Sequence, residues 1–317
     1  MAPNHEFSID IRVPASTANL GAGFDCLGLA LELYLHVRAT VMSLPGAQAV
    51  ARSRGVPGTA DLPTDPDENL IFRAMNHAAK HERFRLPPIR LAVQNDIPVA
   101  AGLGSSAAAA VAGSLLAFAV AGKPLAKDVA LQCAAEMEGH ADNVAAALLG
   151  GLVVTFARCD GTIGVVQKRW PKMVRIVVVT PQCTLETKKS RAVLPKTVPR
   201  VDAVHNLQRS ALLVAALDER RYDLLWDALQ DRVHQPYRQA LIPGLDDALA
   251  VPRMHGLLGV ALSGAGPSVI ALAIDNFNEI GKEIAGRFER RGLSASFQTL
   301  EAAQEGFTTS DKRLRQR

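Results

Sequence analysis

The chain has 317 residues, more than one domain of ordinary size needs, and 48% hydrophobic with 21% charged residues suits a globular protein with a real core. Aromatic residues make up 5%, too few for a base-stacking surface, and most of the net charge of +4 sits in the tail, where Lys312, Arg313, Arg315 and Arg317 outnumber Asp311, so no nucleic-acid partner is expected. Cys26, Cys133, Cys159 and Cys183 are dispersed and form no CxxC pair, which argues against a disulfide framework or zinc site and for a reducing, cytoplasmic setting. Met1–Asp10 carries Glu6 and Asp10 and no apolar core, so it is not read as a signal peptide.

Phe7–Val13 alternates apolar and polar residues and predicts a strand, followed by an extended stretch over Ala30–Met42. Pro45–Pro66, rich in Pro, Gly and Asp, reads as an exposed loop. Asn69–His81 places Ile71, Phe72, Met75 and Ala79 on one helical face, and Ile89–Val93 is strand-like. Helices are expected over Ser106–Ala121 and Leu125–Glu138, with a third from Asp142. The uncharged run Ala107–Gly122 is shorter than the roughly 20 residues of a membrane span and is mostly Ala and Gly, so a tightly packed internal helix is expected. Leu152–Phe156 and Ile163–Val166 flank Asp160-Gly161, a hairpin signal, and Val174–Thr180 reads as a buried strand. Residues 201–251 are mostly helical in pattern. Leu257–Leu262 and Ser268–Ala273 are strands around a glycine turn, Phe277–Arg290 is an amphipathic helix, and Ala295–Leu300 is a last strand. Strand runs and helix runs are segregated, which favours an α+β chain. The expected division is 1–170, 171–305 and a solvated, disordered basic tail over 306–317.

Four segments carry chemistry. Pro98-Val99-Ala100-Ala101-Gly102-Leu103-Gly104-Ser105-Ser106-Ala107-Ala108 puts small residues where backbone can approach a ligand, then opens a helix whose free N–H groups attract anions. It lacks the Gly-Lys-Ser/Thr of a Walker loop and the Rossmann fingerprint, so it predicts a phosphate site of another type. Val13–Leu27 sets Asn19 and Asp25 around Gly21 and Gly23; an Asx turn with a helix cap is the bland alternative. Glu136–Asn143 crowds Glu136, Glu138, His140, Asp142 and Asn143 at a helix end, with Asp142 also readable as the N-cap of the next helix. Ser263–Ser268, S-G-A-G-P-S, is a rigid turn that could cover a phosphate or close against the first glycine loop. His77 and His81, four apart, lack the glutamate of a zinc protease and are read as an exposed helix face; the cluster Lys188, Lys189, Arg191, Lys196 and Arg200 suits an anionic small molecule.

Together these segments resemble the galactokinase–homoserine kinase–mevalonate kinase–phosphomevalonate kinase superfamily over about residues 7–300. P-A-S-T-A-N-L-G-A-G-F-D (Pro14–Asp25), E-G-H-A-D-N-V-A (Glu138–Ala145), T-K-K-S-R-A-V-L-P (Thr187–Pro195) and P-Y-R-Q-A-L-I-P-G (Pro236–Gly244) are similar to its homoserine kinase branch. The resemblance implies an N-terminal domain like the second domain of ribosomal protein S5 and a ferredoxin-like C-terminal domain. It implies ATP-dependent phosphorylation of the L-homoserine hydroxyl in threonine biosynthesis, with Mg²⁺, in a homodimer without a nucleic-acid or membrane partner. Carried over by position, Asn19, Asp25, His140, Asp142, Arg191 and Arg238 line the amino-acid site, Thr187 lies near the reacting hydroxyl, and Ser106 and Glu138 take the magnesium positions. Asp142, Thr187 and Arg238 are then the catalytic candidates, and Pro98–Ala108 the ATP loop. The first segment has no lysine to pair with Asp142, so Asp142 stands either as a base or as a positioning group, and Glu136 rivals Glu138 for the metal. Another kinase or decarboxylase of the superfamily, or a non-catalytic ATP-binding relative, are the alternatives.

Overall fold

The strand signalled by Phe7–Val13 runs further than its sequence pattern suggests. In the computed structural model, which describes residues 7–42, 49–55 and 63–310, strand β1 covers Phe7–Ala18 and pairs antiparallel with β2, Leu27–Val41. The register shifts between Pro14 and Ala15, where proline has no N–H to give the ladder. Beyond that bulge, Ala15–Ala18 are carried into the interior, and the chain turns at Asn19 with a left-handed φ of 72°.

Around this hairpin the first half adds β3 (Ala49–Arg54), α1 (Leu70–His81), β4 (Ile89–Asn95), α2 (Ser105–Val120), α3 (Lys127–Glu138), α4 (Asp142–Leu149), β5 (Leu152–Ala157) and β6 (Ile163–Lys168). The sheet runs β1-β2-β4-β3, with β5 and β6 continuing from β2; among the described residues only β3 and β4 pair in parallel. Finding β3 inside Pro45–Pro66 corrects the expected loop; residues 45–48 and 56–62 of that stretch lie outside the described residues. Its sequence, AVARSR, has little β-branched character, so partnership with β4 rather than propensity makes it a strand. Helix α1 is capped by Asn69, whose Oδ1 accepts the N–H groups of Ile71 (3.0 Å) and Phe72 (3.4 Å). Its face Ile71, Phe72, Met75 and Ala79 is buried as expected. Helix α2 is buried on nearly every side, and a side chain at Gly113 would meet the Ile71 carbonyl, so small residues let α1 and α2 touch. No helix among the described residues is long and apolar enough to cross a membrane.

The second half contains β7 (Arg175–Pro181), α5 (Thr187–Ala192), α6 (Arg200–Asp218), α7 (Leu225–Ala228), α8 (Gln235–Arg238), α9 (Leu245–Leu249), β8 (Leu257–Leu262), β9 (Val269–Ala273), α10 (Phe277–Glu289) and β10 (Ala295–Leu300). Its antiparallel sheet runs β10-β7-β9-β8, the ferredoxin-like order, with Ile280, Ile284 and Phe288 of α10 packed into the core. The expected α+β architecture is therefore present in both halves.

The C-terminal segment departs from expectation. Residues 301–310 return to the first sheet: Glu32 N–H donates to Glu301 O (3.0 Å), Ala303 N–H to Ala30 O (3.0 Å), and β11 (Thr308–Thr309) pairs with β1. Gly306 lies so close to the end of α4 that a side chain there would strike Leu148 O, and Thr309 Oγ1 donates to Asp10 O at 2.9 Å. A disordered tail from 306 is thus corrected by backbone pairing that charge and composition do not encode; the basic residues 311–317 lie outside the described residues.

Candidate active site

The glycine loop follows Ile97 and ends on α2. Gly104, with φ 69°, is the N-cap, and among the described residues no side chain satisfies the first-turn N–H groups of α2. The loop is clamped from two sides. Ser16 N–H donates to Leu103 O (3.1 Å), and Ser16 Oγ donates to Asn143 Oδ1 (2.9 Å). Across from it, Ser263 Oγ lies 2.6 Å from Gly102 O and 2.8 Å from Thr17 Oγ1, and Ser268 N–H donates to Ala101 O (3.2 Å). The turn Ser263–Ser268 therefore closes against the first glycine loop, one of its two expected roles.

The ends of α3 and α4 supply the carboxylates. Ser106 Oγ donates to Glu138 Oε2 at 2.7 Å at the start of α2. Glu136 faces elsewhere, bonded to His77 (2.9 Å) and Gln132 (3.1 Å) and absent from the cleft wall. Asp142 is 1% exposed; its Oδ1 lies 2.7 Å from His140 Nδ1 and accepts the Asn143 N–H at 2.7 Å. It is the first residue of α4 and not its cap, which is Ala141. Burial opposes the His140 cation, but the bond to Asp142 and that carboxylate's charge outweigh it and raise the imidazole above its ordinary 6.5. The folded protein thus holds this proton more tightly than the unfolded chain. The pair's stabilisation is complete below pH 6.5 and is lost as pH rises through the raised value. We expect His140→Gln to remove this dependence, measured as denaturant unfolding free energy from pH 5 to 9.

Opposite lies a basic wall. Arg191, on α5, forms a two-pronged ion pair with Asp25 at 2.6 and 2.9 Å, which raises its pKa. Asp25 itself is held by a left-handed φ of 54° and donates its N–H to Asn19 Oδ1 (3.0 Å), while Asn19 Nδ2 donates to Gly264 O (3.0 Å). Arg238, on α8, is 1% exposed; Nε donates to Ser190 O (3.2 Å) and Nη1 to Gly264 O (2.9 Å). Burial, then the charge of Arg191, pushes it down to about 10, so it stays a cation at neutral pH.

A cleft of about 400 Å³ joins these parts. Asn19, Asp25, Pro98 to Ser106, Glu138, His140, Asp142, Thr187, Arg191, Arg238 and the turn Gly264–Gly266 all line it. Ala107 and Ala108 are fully buried in α2 and present no side chain to the cleft, and Ala108 N–H is spent on Gly104 O (2.9 Å).

The GHMP kinases N terminal domain matches residues 69–151 and the GHMP kinases C terminal domain residues 213–286. The homoserine kinase of Deinococcus radiodurans is 46% identical, with 82% of each chain covered; that of Saccharomyces cerevisiae is 37% identical, covering 93% of this chain and 97% of the other. The chain belongs to the homoserine kinase family of the GHMP kinases. The crystal structure of homoserine kinase from Cytophaga hutchinsonii superposes with a TM-score of 0.82 at 28% identity, over 95% of this chain and 97% of that one.

In this family member, several residues of the cleft wall escape sequence reading. Leu35, Pro63, Asn69, Leu70 and Asn95 extend the cleft past the glycine loop, although most are far from any motif. The guanidinium groups of Arg191 and Arg238 lie 5.6 and 5.5 Å from the ring centre of Phe24, whose position inside the quoted Pro14–Asp25 segment was the available signal. His234 is wholly buried beside Arg238, and only its i, i+4 spacing from that arginine hinted at contact.

Proposed function

We propose that ATP lies along the glycine loop and L-homoserine between the acidic helix ends and the basic wall, and that the γ-phosphoryl group passes to the amino acid's hydroxyl. The chain is a kinase with small-molecule substrates, ATP among them, as its family membership entails. One observation carries the finer reading: a glycine loop with free helix N–H groups opens into the same cleft as two arginines and the carboxylates of Asp25 and Asp142. An amino acid presents complementary charges, an ammonium for the carboxylates and a carboxylate for Arg191 and Arg238.

In this reading the first-turn N–H groups of α2 and the backbone of Gly102–Ser106 hold the phosphate oxygens. The outlying arm near Pro63, Leu70 and Val99 takes the base. Asp142, aimed by His140 and Asn143, orients the hydroxyl, with Thr187 beside it. Ser106 Oγ and Glu138 Oε2 are a pair of hard oxygen donors, which suits Mg²⁺ bound jointly with phosphate; among the described residues no group of three or more His, Cys, Asp or Glu offers a full protein cage. Magnesium bound there would neutralise charge on the phosphates. A cytoplasmic homodimer completes the reading, its oligomeric state checked by light scattering.

A coupled ADP-release assay offers L-homoserine, mevalonate, L-serine and galactose side by side with Mg²⁺. Turnover with L-homoserine is expected, and its absence overturns the proposal. Arg238→Ala is expected to raise KM for homoserine about tenfold to a hundredfold with little change in KM for ATP. Equal effects on both would remove its carboxylate role.

A further inference from the structure

Arg238 is nearly inaccessible, so its direction is set by its neighbours. Two are carbonyls, Ser190 O and Gly264 O. The third is His234 Nδ1, 3.1 Å from Nη1. A guanidinium has no acceptor site, so this contact exists only if Nδ1 is unprotonated. At the other end of the ring, Nε2 lies 2.8 Å from Gly21 O, which can only accept, so Nε2 carries the proton. Two independent partners thus demand the same neutral tautomer. Burial holds the imidazole below its ordinary pKa, against the charge of Asp231, whose Oδ2 is 3.6 Å from Nε2. The ring is also fixed by stacking on Phe24 at 5.2 Å. The turn before it is fixed as well, because the Asp231 carboxylate accepts the N–H groups of Val233, His234 and Gln235.

We infer that His234 is a positioning residue for Arg238, its bare Nδ1 aiming the guanidinium into the cleft while its Nε2–H is tied to the backbone of the Asn19–Asp25 turn. The inference rests on Arg238 as the ligand of the substrate carboxylate. It makes one ring the link between two walls of the amino-acid site, since Gly21 lies in the turn that carries Asn19 and Asp25.

Two substitutions separate aiming from packing. In His234→Asn, the amide oxygen can stand near Nδ1 and still accept from Arg238, but nothing reaches Gly21 O. In His234→Gln, the amide reaches the Nε2 position and leaves Arg238 without its acceptor. The expected pattern is crossed: the asparagine variant has a lowered Tm and a KM for homoserine within about threefold of the parent protein, while the glutamine variant keeps Tm and raises that KM about tenfold or more, with KM for ATP unchanged in both. If KM for homoserine simply follows Tm in both variants, or KM for ATP rises with it, the positioning role is overturned. Nitrogen NMR of histidine-labelled, unsubstituted protein at neutral pH supplies a readout independent of folding of the variants and of turnover. A proton on Nε2 alone is expected; a proton on Nδ1 overturns the inference. Absence of homoserine-dependent ADP release in the parent protein would instead sink the functional reading and leave the tautomer test standing.

Discussion

Asp142→Asn is expected to lower kcat about a thousandfold while leaving the shape of the pH–rate profile unchanged. The carboxylate is almost wholly buried and its Oδ1 already meets two partners, His140 Nδ1 and the Asn143 N–H, each at 2.7 Å. A carboxylate so engaged is a well-aimed acceptor. Phosphoryl transfer through a loose transition state asks little of a base, because the hydroxyl loses its proton late. Asparagine keeps the volume but loses the charge and disturbs the bond to His140, so the hydroxyl is misdirected at every pH. Measurement of kcat from pH 6 to 9 decides the matter. If the variant loses an acidic limb that the parent protein shows, Asp142 is the base.

Gly102→Ala is expected to cost a hundredfold or more in kcat/KM for ATP and about 2–4 kcal/mol in stability. Gly102 has φ 76°, which alanine adopts at a cost. A methyl group there would also run into Ser263 O and stand 2.8 Å from Gly266 O, both backbone atoms with no rotamer to change. Relief requires the two glycine turns to part, and the proposed phosphate loop moves with them. Gly104→Ala makes a useful contrast, because its nearest obstacle is the Ser16 hydroxyl, a side chain that can turn away from Asn143. ATP titrations with unfolding curves on both variants test the difference. A Gly102→Ala protein with normal KM for ATP would show that the turns are not coupled.

Much of this site was legible because its parts are local. Gly102, Gly104, Ser105 and Ser106 predict a phosphate loop from their own backbone chemistry, and the structure places them on the cleft at the start of α2. The choice between Glu136 and Glu138 was not legible, since two residues' spacing on a helix end puts one toward His77 and the other toward Ser106. Likewise the strand expected over Phe7–Val13 stops short of Pro14-Ala15-Ser16-Thr17, and only the bulge against β2 reveals these residues as buried strand. His234 also depends on a contact with Gly21, 213 residues away, which no local pattern announces. The β3 strand and the segment 301–310 were missed for the same reason: the pairing partner, not the segment's own composition, makes the structure.

That last segment has a consequence for biosynthesis. The first sheet receives its edge partner, and α4 its C-terminal contact at Leu148, from residues synthesised long after β1 and α4 themselves. Vectorial synthesis therefore delivers the glycine loop early but withholds the stitch between Asp10 and Ser310 until residue 310 has emerged. A nascent or prematurely terminated chain exposes the β1 edge, and with it a site for mispairing with another copy. Emergence of residues 301–310 is thereby the event that seals the first sheet.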